Sequence, residues 1–220
     1  PTIAVNSADV ATNSSGATTL TFTLDNTAPG GGVISVPATV KTLSVPITTT
    51  LATDGGSGLA AGTNTITRSN GQAVAANACP GSGYTGSNAI AASPDTTVVS
   101  GQCYVYTLTA TDNVGNTATW TSSPVLVDTV APADAFTLTA ITGGVFKSGT
   151  TLFYKGNAAG SFKLRDTVTD ALSGPASATF GALSGGAGFS THNSETISTP
   201  AGGPYDSTAI TWAGAASGAP

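Results

Sequence analysis

The stretch YVYTLTATDNVGNTATWTSSPVLVDTVAP, residues 104–132, decides the fold. Tyr104, Tyr106, Leu108 and Ala110 share one face, with Val105, Thr107 and Thr109 on the other. That period of two is the pattern of a half-buried strand. Asp112-Asn-Val-Gly-Asn116 is turn chemistry, because Asp and Asn side chains bond their own backbone and Gly accepts positive φ. A second strand is expected from Trp120 to Val127. Asp128-Thr-Val-Ala-Pro132 then ends the pairing, since Pro132 has no N–H for a ladder.

Working outward, the start of the chain repeats this pattern. Ile3 and Val5 alternate toward Asp9-Val-Ala-Thr-Asn13, and Leu20, Phe22 and Leu24 alternate toward Asp25-Asn-Thr-Ala-Pro29. Sixteen residues separate Asp9 from Asp25, Asp112 from Asp128, Asn13 from Pro29 and Asn116 from Pro132. Four matched markers make a strong internal repeat. A second motif, Asp-x-x-Ser-Gly, stands at Asp54–Gly58 and at Asp170–Gly174. Asp54 lies 58 residues before Asp112. Asp170 finds an equivalent only if Pro220 is followed by the Pro1 of another copy, which places Asp9 59 residues on. The expected organisation is therefore one complete unit over 29–131 and a second over 132–220. Residues 1–28 are the strand pair that completes the second unit of an adjacent copy.

Composition points to an all-β protein. Only 8% of the 220 residues are charged, with 28 Gly, 12 Pro and a single Glu. Short alternating runs between Gly, Pro, Asn and Asp predict a β-sandwich with about seven strands in roughly 100 residues, and no helix. Six Lys and Arg spread along a chain of net charge −5 leave no basic footprint for nucleic acid. No run approaches the roughly 18 apolar residues of a membrane helix. Beginning at Pro1, the sequence is expected to be a mature product or a window of a longer chain.

Cys79 and Cys103 are the only cysteines. Cys103 opens the central strand, and a bridge to the long loop that holds Cys79 is expected over two free thiols. In a Thr-rich, charge-poor chain of extracellular look this is the favoured state. His192 and Glu195 are each the only residue of their type. A lone His in a Gly/Ser-rich loop is expected to be solvated, and neither residue builds a catalytic arrangement, so no enzyme activity is expected. Trp120 and Trp212 are expected in the core or at junctions rather than as sugar platforms.

DNVGN followed by VDTVAP, with D-x-x-S-G upstream, resembles the bacterial Ig-like tandem repeats of giant secreted surface proteins, adhesins and extracellular fibres. The resemblance implies two seven-strand immunoglobulin-like sandwiches in a head-to-tail array, at the cell surface or outside the cell. The expected function is structural, with copies of the chain itself as partners. Ile3, Val5, Leu20, Phe22 and Leu24 are the expected contacts between copies. The alternative is an extracellular module that binds polysaccharide or a host surface. Some families of this kind bind Ca²⁺ at junctions through Asp residues in these turns and linkers. The matching positions are Asp54, Asp112, Asn116 and Asp128, and in the second unit Asp170, Asp9, Asn13 and Asp25. From the residues alone, backbone capping by these Asp side chains is the reading preferred over Ca²⁺ ligation, and no other cofactor is expected.

Overall fold

A computed structural model describes residues 1–186 and 188–214. The Gly- and Ala-rich end over 215–220, and the expected join of Pro220 to Pro1, lie outside the described residues. The described chain is all-β, with strands and turns and no helix.

The chain opens with β1 (Thr2–Val5) and β2 (Thr18–Thr21), an antiparallel pair with Ile3 opposite Leu20. At the tip, Asn13 donates its backbone N–H to Asp9 Oδ1 and its side-chain amide to Asp9 Oδ2, both at 2.8 Å. Every residue from 1 to 24 is exposed. Ile3, Val5, Leu20 and Phe22 keep 51–61% of their surface in water, and Leu24 keeps 83%. This hairpin has alternating apolar residues and no core beneath them.

Residues 29–131 gather around one core. The strands are β3 (Val33–Ser35), β4 (Thr39–Val40), β5 (Thr48–Thr50), β6 (Thr65–Arg68), β7 (Gln72–Ala73), β8 (Asn88–Ile90), β9 (Gln102–Tyr104), β10 (Tyr106–Thr111), β11 (Thr117–Thr121) and β12 (Val125–Val127). One sheet runs β11-β10-β6-β8, a second β4-β12-β9-β7, and β3 pairs with β5. Tyr104, Tyr106, Leu108, Val125 and Val127 meet Ile34, Val45 and Ile47 in the core. The expected face of the central strand is the buried one, with Tyr106, Leu108 and Ala110 wholly out of water. Burying a side chain of Leu size contributes on the order of 2 kcal/mol, so this strand anchors the segment.

Two expectations are corrected. The central strands do not run unbroken. Each passes from one sheet to the other, at Val105 and across Ser122–Pro124. Serine hydroxyls make the crossing: Ser69 Oγ accepts the Val105 N–H at 3.1 Å and Ser122 Oγ accepts the Tyr106 N–H at 3.0 Å. Residues 97–99, just before β9, form no strand. Asp95 Oδ1 takes the Thr97 N–H and the Tyr104 hydroxyl takes the Val99 N–H, so side chains replace a ladder. The long loop expected around Cys79 is instead bounded by β7 and β8.

Residues 132–214 carry β13 (Phe136–Thr142), β14 (Val145–Ser148), β15 (Thr151–Tyr154), β16 (Gly160–Asp166), β17 (Ala178–Phe180), β18 (Glu195–Ile197), β19 (Tyr205–Asp206) and β20 (Ile210–Trp212). β16 pairs with β13 on one edge and with β19 and β20 on the other. β14–β15 and β17–β18 are separate two-stranded pairs. One cluster centres on Phe162, Phe189, Ile210 and Trp212, another on Val168, Ala178, Phe180 and Tyr205, and Leu164 touches both. The start of this segment repeats the first: the Gly30–Thr53 bridge recurs as Ala133–Thr169, and the β3–β5 pair as β13–β16. The Ser122 device recurs too, with Ser207 Oγ accepting the Leu164 N–H at 2.9 Å.

Candidate functional site

The repeated motifs meet at two junctions. At the first, the Asp54-Gly-Gly-Ser-Gly58 turn is closed by its own carboxylate, which accepts the N–H groups of Gly56 and Gly58 at 3.0 and 2.7 Å. Asp25, from the linker after the hairpin, accepts the Ser57 N–H at 2.6 Å. That approach needs a glycine at 56, because a Cβ there would collide with the Asp25 carboxylate. The Asp112–Asn116 turn lands on the same spot. Asn113 donates its N–H to the Gly58 carbonyl at 2.9 Å and its amide to the Ser57 carbonyl at 2.8 Å. Asp112 Oδ1 accepts from the backbones of Val114 and Asn116, and the Asn116 amide reaches Asp112 Oδ2 at 2.7 Å and the Asp25 carbonyl at 3.3 Å.

The result is a cluster of Asp25, Asp54 and Asp112, with one oxygen from each within 4.8 Å of the others. Hydrogen bonds from the Ser57 and Thr27 backbones hold the Asp25 carboxyl below its ordinary range. Burial pushes the Asp112 carboxyl up, but the bonds from Asn116, Val114 and Gly115 outweigh it and hold that group low as well. Carboxylates so close repel one another, and a hard divalent cation relieves that repulsion through oxygen ligands. Carboxylate oxygens and nearby carbonyls are the donor set such an ion takes. The same oxygens also cap the turns.

The second junction repeats two parts of the first. Asp170 Oδ1 accepts the N–H groups of Leu172 and Gly174, both at 2.9 Å, as Asp54 does in its turn. Asp128 accepts the Ser173 N–H at 3.1 Å, as Asp25 accepts that of Ser57. Burial raises the Asp128 carboxyl, and bonds from Ser173 and Val130 outweigh it, leaving the group low. A third carboxylate is not supplied here by the described residues of the same chain. The counterpart of Asp112 is Asp9, and with Asn13 it stands at the exposed tip of the hairpin. A cavity of about 370 Å³ is lined by Asp128, Asp170, Ser173, Gly174 and Pro175 together with Val40 and Lys41 of the first segment, and the Asn77 amide donates to the Asp170 carbonyl at 2.8 Å, against Gly174.

Of the expected residues, the structure thus brings together Asp25, Asp54, Asp112 and Asn116 in one place and Asp128 with Asp170 in another. Cys79 and Cys103 form a disulfide with Cα atoms 5.6 Å apart, which tethers the 72–88 region to β9. Trp212 is core, its indole N–H donating to the Ala158 carbonyl at 2.8 Å, and Trp120 is half-buried over Gly32.

His192 is a correction: it is buried, not solvated. Its Nε2 meets both Glu195 Oε1 at 3.1 Å and Thr208 Oγ1 at 3.0 Å. A hydroxyl activated by histidine needs the acid on the opposite ring nitrogen. Here both partners crowd one nitrogen, and Nδ1 has no hydrogen-bond partner. The cluster ties β18 to the segment between β19 and β20.

One polar core was not signalled by any motif. Asp95 is buried and accepts from Tyr106 Oη at 2.9 Å, from Arg68 at 3.0 Å and from the Thr97 N–H and hydroxyl at 2.8 and 2.7 Å. The Arg68 guanidinium also lies 4.7 Å over the Tyr104 ring. A clue was available in Arg68, a charge at the end of an otherwise uncharged strand that must find a partner once covered.

No protein-family model, no curated protein and no solved structure matches the chain.

Proposed function

We propose that the chain is a structural repeat unit of an extracellular fibre, stalk or surface adhesin, built from immunoglobulin-like sandwiches strung head to tail, without catalysis. One observation carries this reading: the same joint is made twice. A linker Asp accepts the serine N–H of an Asp-x-x-Ser-Gly turn at Asp25–Ser57 and again at Asp128–Ser173. A joint repeated with the same partners sets successive bodies at a fixed relation, which is the requirement of a linear array. The immunoglobulin-like assignment is supported by two four-stranded sheets around one core in 29–131, with the chain crossing between them at β9–β10 and β11–β12. A disulfide and the absence, among the described residues, of a helix long and apolar enough to cross a membrane fit an extracellular place. Electron microscopy of the native material tests the reading. Filaments with an axial repeat of two bodies are expected, and dispersed globular particles would count against it.

The alternative, an extracellular binding module, draws support from the β14–β15 hairpin. There Phe146 and Phe153 stack 6.3 Å apart and both are largely exposed. Loss of surface or glycan adhesion in a Phe146→Ala, Phe153→Ala variant, with filaments intact, would favour it.

A further inference from the structure

The second segment has a free sheet edge and an open groove, and the hairpin has an apolar face with nothing under it. In the first segment, β6 lies between β8 and β10. Ile66 faces Ile90 on one side and Leu108 on the other, and Arg68 faces Tyr106. The second segment repeats only the outer half: β17 pairs with β18, with Ala178 opposite Ile197, and among the described residues its other edge is unpaired. At Gly181, just past the end of β17, opens an apolar groove of about 340 Å³, lined by Leu138, Leu152, Phe162, Leu164, Leu183 and Phe189. An exposed groove next to an open edge is a template for one more strand.

The internal repeat names the occupant. Val5 stands before Asp9 as Leu108 stands before Asp112, and Ile3 as Tyr106. β10 is therefore represented in the second unit by β1, which lies at the other end of the chain. We propose that the hairpin 1–24 of a second copy adds to the free edge of β17 and closes this groove, with Val5 opposite Ala178 and Ile3 opposite Phe180. This deepens the array reading and rests on it.

One further feature fits this docking. The hairpin pairs one residue out of the register of its counterpart. Leu108 faces Trp120, whose equivalent is Ala17, yet Val5 faces Thr18. Register is weakly specified where neither face is buried. Burial of Ile3 and Val5 against Phe180 and Ala178 supplies what specifies it.

The test uses the full chain with Val5→Cys and Ala178→Cys. The native cysteines are already paired, so the new thiols report alone. Under mild oxidation, a non-reducing denaturing gel should show a ladder in steps of the 21.2 kDa chain. Ile3→Cys with Phe180→Cys should give the same ladder. An internally bridged monomer or unreacted thiols from both pairs would overturn the proposal. A Val5→Asp variant, altered at a site outside both cores, should lose association by at least tenfold in sedimentation. Association that persists in Val5→Asp without a ladder in either cysteine pair refutes the strand route and leaves the array reading standing. A wild-type chain that is monomeric at all concentrations refutes the strand route too, and the array reading then depends on filament images alone.

Discussion

The Tyr106 hydroxyl donates to Asp95 Oδ2 across 2.9 Å, inside a core that closes both side chains off from water. Arg68 completes the group at 3.0 Å. Removing one partner of a buried, hydrogen-bonded charge leaves the rest uncompensated. Asp95→Ala should therefore cost about 3 kcal/mol, and Tyr106→Phe about 2 kcal/mol, since the bond it removes has a charged acceptor. Denaturant unfolding of the full chain checks both. Equal midpoints for wild type and Asp95→Ala would show that the group contributes nothing net.

The same group sets a pH dependence. Burial alone raises the Asp95 carboxyl, but bonds from Thr97 and Tyr106 and the Arg68 charge outweigh it, so the folded value lies below the ordinary one. A carboxyl depressed in the folded state stabilises above its unfolded value, near 4, and the contribution is lost as pH falls through the folded value. Tyr106 is shifted the other way: burial, then Asp95, raise its phenol. Its contribution is full below the unfolded value, near 10, and is lost as pH rises above that. Melting temperature should be flat between about pH 5 and 9 and fall at both ends. Tyr106→Phe should remove the alkaline limb that this phenol causes, and an unchanged limb would reject the assignment.

Reduction of Cys79–Cys103 releases a loop of 24 residues in sequence separation. In the chain-entropy treatment such a loop is worth roughly 3 kcal/mol, or about 15 °C of melting temperature for a body near 100 residues. Cys103 is wholly buried, so reduction of the native protein should be slow without denaturant. Calorimetry with and without a phosphine reductant measures the shift. A melting temperature that stays put after complete thiol alkylation would mean that the bridge constrains little.

At the first junction, Asp25, Asp54 and Asp112 hold three like charges within 4.8 Å. Millimolar Ca²⁺, the range of extracellular modules, should raise the melting temperature, because a ligand of the folded state stabilises it by mass action. The rise should vanish in Asp54→Asn and in chelator. If the transition is the same with Ca²⁺ and with chelator, these carboxylates serve only as turn caps.

The alternation of Tyr104 to Ala110 made the buried face legible, because a strand in contact with a core repeats every two residues. The Asp112 and Asp54 turns were legible because Asp, Asn and Gly act locally. What was not legible depended on distant partners. Ser69 and Ser122 break the central strands by reaching backbone groups 36 and 16 residues away. Asp95 gathers Arg68 and Tyr106 from two distant strands besides its near neighbour Thr97, and no periodicity encodes that. His192 looked solvated among Gly and Ser, but Thr208, sixteen residues on, covers it. The candidate site was half legible: the Asp positions followed from the repeat, whereas the meeting of Asp25 with Asp54 came from folding the linker back on the turn.

That meeting can be tested through glycine. A Cβ on Gly56 would collide with the Asp25 carboxylate, whereas one on Gly55 meets nothing within 4 Å. Asp25 ends a flexible side chain, so in Gly56→Ala it can swing away, but the Ser57 N–H then loses its acceptor. The hairpin's other hydrogen bonds to the first segment are the Asn116 contacts to the Asp25 and Thr27 carbonyls, at 3.3 and 3.5 Å. Bonds of that length are weak. Gly56→Ala should therefore loosen the hairpin while leaving the core around Tyr106 and Leu108 intact. Limited proteolysis should cleave near residues 24–28 several-fold faster than in wild type, with the melting temperature changed by little. Gly55→Ala, in the same turn, should cleave at the wild-type rate. Equal protection in the two variants would mean that the linker is held by something other than the Asp25–Ser57 bond.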